Sequence, residues 1–105
     1  MGPRVFPIVA ASSCSGRGRQ VTHASSGDAF QRSGDTWSRQ ERWGCGCPTG
    51  DVYTMVYEPK TSPLRVRLCE NGAMDMCEAL CQQTLAWNLS GPLKEAGATD
   101  VVFVD

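Results

Sequence analysis

A single histidine, His23, is all the chain offers of the side chain most used to move protons near neutral pH, and it lies in a Ser/Gly-rich stretch with no partner in view. A Cys-His nucleophile pair would depend on that one ring. Also missing are a phosphate-cradling glycine loop followed by Lys-Ser/Thr and a dinucleotide fingerprint behind a strand. These absences argue against an enzyme and imply no small-molecule substrate. No long hydrophobic run is present either. The segment Val5-Phe6-Pro7-Ile8-Val9-Ala10-Ala11 is broken by proline and falls short of the about 20 residues that cross a bilayer, so no membrane partner is expected. Read as a secretory leader, with Arg4 ahead of it and small residues at 10–14 behind, it sits at the lower limit of length.

Charge is scarce as well: 20% of the residues are charged and the net charge is −1. Six arginines face three acids in residues 1–44, and four basic residues face eight acids in residues 45–105. A surface built for phosphate or anionic lipid is normally more basic than this. With 41% hydrophobic residues in 105, there is room for one globular domain.

From residue 12 to residue 42 the composition is mostly Ser, Gly, Gln, Arg and Asp, with Val21, Ala24, Ala29, Phe30 and Trp37 at no regular period. Such a stretch struggles to offset the ~1–2 kcal/mol of backbone entropy lost per ordered residue. The reading is an irregular segment over 1–42, with an edge strand over 3–10 that tolerates Pro7, and a cysteine-bearing α+β domain over 43–105. Residues 52–58, β-branched and aromatic, and 64–68, where apolar and charged alternate, predict two strands. Pro59-Lys60-Thr61-Ser62-Pro63 joins them as an antiparallel hairpin, with Leu64, Val66 and Leu68 facing the core and Arg65 and Arg67 facing water. Beyond Asn71-Gly72, Ala73, Cys77, Leu80, Cys81, Thr84 and Leu85 fall at i, i+3, i+4 spacing and predict a helix over 73–88. A short helix over 92–96 stops at Gly97, and a last strand covers 100–105. The expected order is ββααβ, a small single α+β domain.

The six cysteines, at 14, 45, 47, 69, 77 and 81, are the most specific feature. Cys45-Gly46-Cys47 precedes the hairpin, Cys69 ends its second strand, and Cys77 and Cys81 lie four apart on the predicted helix. A hairpin brings its ends together, and a helix packed on it presents i and i+4 thiols to one point. Thiolates so gathered would hold Zn²⁺ tetrahedrally, with candidate ligands Cys45, Cys47, Cys69, Cys77 and Cys81. Knuckle, hairpin and helix over about 43–88 resemble, in outline, the treble-clef type of zinc finger. Two other readings of the same residues stay open: a disulfide framework in an oxidising compartment, and cysteines that pack as small apolar side chains.

Trp37, Trp43, Trp87, Tyr53 and Tyr57 could stack on unpaired bases beside Arg39, Arg42, Arg65 and Arg67, which makes nucleic acid the alternative partner. The stronger expectation is a non-enzymatic, zinc-stabilised, cytoplasmic module that binds a protein as adaptor or inhibitor. If the cysteines are bonded to each other, a secreted disulfide-rich effector or toxin takes its place.

Overall fold

The computed structural model describes residues 3–22, 30–44, 50–72 and 80–105. Among them the chain forms β1 (Arg4–Val5), β2 (Ile8–Ala10), β3 (Arg19–Gln20), β4 (Gln31–Ser33), β5 (Thr36–Gly44), β6 (Tyr53–Glu58), β7 (Leu64–Glu70), β8 (Leu80–Asn88), α1 (Ser90–Ala96) and β9 (Val101–Phe103). The strands make two mixed sheets. The first runs β1-β8-β5-β4, and the second runs β2-β6-β7 with β3 and β9 both on the far side of β7. The expected ββααβ arrangement is overturned: the described residues form a β-sandwich with one short α-helix.

The hairpin anchors the second sheet. β6 and β7 pair antiparallel from Tyr53↔Glu70 to Glu58↔Arg65, and Leu64, Val66 and Leu68 are fully buried, as their alternation with Arg65 and Arg67 predicts. Across from them the first sheet contributes Trp37, Leu85 and Trp87, and the two inner faces share one core. Trp87 is its centre, with no exposed area and with the rings of Phe30, Phe6 and Tyr53 at 5.8, 6.0 and 6.4 Å. Such tilted and edge-on pairs add attraction beyond the area they bury.

The stretch expected to be irregular builds half of this body. Thr36–Gly44 is a nine-residue strand that pairs antiparallel with β8 along its whole length. Its inward face is Trp37, Arg39 and Glu41, an alternation in which charge replaces the apolar residues that mark a strand. Over 80–88 the expected helix is likewise replaced by a strand; residues 73–79 lie outside the described part. Leu, Gln and Ala favour helices, but β8 is hydrogen-bonded by β1 on one side and β5 on the other, and Leu85, Ala86 and Trp87 are all buried. A strand paired on both edges and covered on both faces loses its period-two signature, and tertiary packing overrides propensity.

The short helix and final strand stand as expected. α1 buries Pro92 and Leu93, and Gly97 ends it at φ 64°, the left-handed cap that a side chain would strain. β9 then adds in parallel to β7. The N-terminal edge strand is two strands. β1 lies parallel to β8 in the first sheet and β2 parallel to β6 in the second, and the chain crosses between sheets at Phe6-Pro7. Phe6 is buried at the crossing, and Pro7, which has no N–H to give, accepts from Met55 N through its carbonyl. The residues read as a possible leader are thus part of both sheets.

The outer face of the second sheet is covered too. Val56 and Cys69 are fully buried there, packed with Val9 of β2 and with Ala11 and Cys14 from the chain that leaves it. This covering segment then presses its backbone onto β7 at Gly18. With φ 91° and a position where any Cβ would overlap the Glu70 carbonyl, Gly18 cannot carry a side chain.

Candidate functional site: oxidised cysteines and a polar cleft

The cysteines among the described residues are disulfide-bonded. Cys14 and Cys69 form a disulfide with Cα atoms 5.6 Å apart, and Cys81 is disulfide-bonded as well. The zinc expectation fails on this point. A sulfur committed to a disulfide has no thiolate to offer a metal, and Cys69 and Cys81 were two of the five candidate ligands. Among the described residues no group of three or more His, Cys, Asp or Glu is placed to hold a metal ion. Cys45, Cys47 and Cys77, with His23, fall outside the described residues. The resemblance to a treble clef goes with the zinc, since β8 stands where its helix would be. Cys14, assigned by sequence to a polar tail, is the residue that bonds Cys69.

The four arginines considered for nucleic acid are spread over different faces. Arg65 and Arg67 converge on one oxygen, Glu58 Oε2, at 2.9 and 2.7 Å, on the outer side of the second sheet. The two donated hydrogen bonds, Arg67's first, hold the Glu58 carboxyl below its ordinary range. Arg39 points between the sheets, whereas Arg42 is exposed. No common surface collects them.

Arg39 instead lines a cleft of about 460 Å³ between the two sheets, at the end of the sandwich where β7 finishes. Arg39 and Glu41, on the same face of β5, form an ion pair at 2.5 Å. Opposite them Tyr53 Oη donates to Glu70 Oε2 at 3.1 Å, and Arg19 at the rim lies 3.6 Å from Glu70 Oε1. The Arg39 guanidinium also sits over the Phe30 ring, 5.2 Å from its centre. Its Nε and Nη1 are buried with no hydrogen-bond partner among the described residues, so the ring face is what meets that side of the cation. Sequence reading missed this site because Glu41, Glu70 and Arg19 belong to no motif. The available signal was the Trp37-x-Arg39-x-Glu41 alternation.

Burial drives the Tyr53 phenol well above the ordinary tyrosine value, and the negative charges of Glu41 and Glu70 push it further. The group therefore serves as a fixed donor. Its linkage to stability has a definite sign: the unfolded chain releases this proton near pH 10 while the folded one keeps it, so stability is full below pH 10 and falls above it. Spectrophotometric titration of the folded protein should show Tyr53 keeping its proton after an ordinary tyrosine would have lost it. The melting temperature should drop once the pH passes 10, and Tyr53→Phe should remove that part of the drop.

No protein-family model, curated protein or solved structure matches this chain. Among the described residues no helix is long and apolar enough to cross a membrane.

Proposed function

We propose that this chain is a disulfide-stapled β-sandwich of an oxidising compartment, secreted from the cell, that acts without catalysis by binding a protein partner. The observation that carries this reading is the buried Cys14–Cys69 bond, whose sulfurs come from opposite halves of the chain. Such bonds persist where the surroundings are oxidising and are rare where thiol buffers keep cysteines reduced. The cleft mouth supplies a recognition surface of mixed sign: Arg19, 85% exposed at its side chain, stands beside Glu70, with the Arg39–Glu41 pair behind. A protein surface can match both signs. A phosphate backbone would meet arginines already paired to Glu58, Glu41 and Glu70.

Alkylation of the protein from its natural source, with and without prior reduction, tests the compartment. Cys14, Cys69 and Cys81 should react only after reduction, and the protein should be found outside the cell. Ready alkylation of Cys14 and Cys69 in the cell interior would overturn the reading. A photo-reactive residue at position 19 should then trap a protein in that secreted fraction, while the same probe at Val5, exposed on the edge of the first sheet, should not. Equal trapping from both positions, or none from position 19, removes the protein partner.

A further inference from the structure

The chain has two asparagines, Asn71 and Asn88, and of these Asn88 alone is followed two residues later by a hydroxyl side chain, in Asn88-Leu89-Ser90. That triplet, with a middle residue other than proline, is the acceptor pattern for N-linked oligosaccharide, and it acquires meaning only in a protein that passes through a secretory compartment. We infer that Asn88 is a glycosylation site, an inference that rests on the secreted reading above.

The local structure suits the chemistry. Asn88 is the last residue of β8 and is exposed, Ser90 begins α1 and is exposed, and Leu89 between them is fully buried and anchors the junction. Asn88 Oδ1 accepts from Ser90 N at 2.9 Å and from Ser90 Oγ at 2.7 Å. Both donors draw electron density toward the carbonyl oxygen, which makes an Nδ2 proton easier to remove, and Nδ2 has no hydrogen-bond partner among the described residues. This turn involves three consecutive residues, so it can form before the sandwich does. In the transfer, Nδ2 attacks the anomeric carbon of a lipid-linked oligosaccharyl pyrophosphate. The C–N bond forms, the bond from that carbon to the pyrophosphate oxygen breaks, the lipid pyrophosphate leaves with its electron pair, and one amide proton passes to a base.

The folded protein has room for the product. A Cβ placed at Gly91 would meet nothing within 4 Å, so the space beside the junction is open. Asn88 pairs with Thr36, and Glu41 lies five residues further along β5, roughly 17 Å at the usual strand rise. A glycan at Asn88 would therefore stand at the end of the first sheet away from the cleft and leave its mouth clear.

The test is expression behind a leader in a eukaryotic secretory host, as wild type, Asn88→Gln, Ser90→Ala and Ser90→Thr, followed by intact mass before and after peptide-N-glycosidase. The wild type and Ser90→Thr should carry glycan mass that the enzyme removes, leaving aspartate at position 88. The Asn88→Gln and Ser90→Ala proteins should leave the cell at polypeptide mass. Secreted wild type with Cys14–Cys69 closed and no glycan at Asn88 would overturn this inference and leave the oxidising-compartment reading standing. Retention of all four proteins with Cys14 and Cys69 still reduced would overturn that reading and this one with it.

Discussion

A chain cut back to residues 41–105 is expected not to fold. The cut removes β1 to β4 and the first half of β5, and with them Phe6, Phe30 and Trp37 from around Trp87. Loss of a single buried Phe or Trp side chain costs about 3–5 kcal/mol, so losing Phe6 and Trp37 together matches much or all of the roughly 5–15 kcal/mol that holds a domain. β8 would also be left without β1 and without the Thr36–Gln40 part of its ladder. The measurement is thermal unfolding followed by far-UV and near-UV dichroism. The fragment should show no cooperative transition and no fixed tryptophan signal. A sigmoidal melt would show that residues 41–105 hold a self-sufficient core.

Cys14→Ser is expected to be nearly as damaging, although residue 14 looks peripheral from its neighbours in sequence. The bond to Cys69 spans a sequence separation of 55. For a loop of that length the chain-entropy account gives about 4 kcal/mol of stabilisation through the unfolded state. The native state loses as well, because Cys14 holds the covering segment over Val56 and Cys69, both fully buried. Urea unfolding should place Cys14→Ser and Cys69→Ser at similar reduced midpoints, and the double variant should be little worse than either, since the two share one interaction. A midpoint shift worth under about 1 kcal/mol would show that the covering segment stays in place without its bond.

How much of this was legible depended on whether charge or apolar alternation marked each strand. Leu64, Val66 and Leu68 announce β7 because the residues between them are polar and stay outside. Trp37, Arg39 and Glu41 follow the same parity, but the inward charges pair with one another, so a search for apolar periodicity passes over them. In β8 the difficulty is reversed: Leu85, Ala86 and Trp87 are buried in succession, and an i, i+4 reading fits their neighbours as well as the true one. The cysteines were read by proximity in sequence, which favours Cys45, Cys47 and Cys69. The sheet instead brings Cys14 to Cys69, because β2 adds beside β6 and delivers the chain behind it to the outer face of β7. Nothing local to Cys14 encodes that. The cleft depends on the same long-range assembly, since Arg19, Glu41, Tyr53 and Glu70 come from four strands.

The strand that changes sheets at Phe6-Pro7 also sets the order in which the molecule can be assembled. Arg4 pairs with Leu85 and Ile8 with Met55, so both segments have partners that are synthesised much later than themselves. Neither β1 nor β2 has a local hairpin to close, and each must wait for a distant strand as its template. Chains dominated by such non-local pairings fold in milliseconds to seconds, well behind helical bundles of similar size, because loop-closure entropy is spent before the contacts that reward it exist. Until then the edges of β8 and β6 that will receive this strand stand open, and a growing chain is most exposed to pairing with its neighbours during that interval.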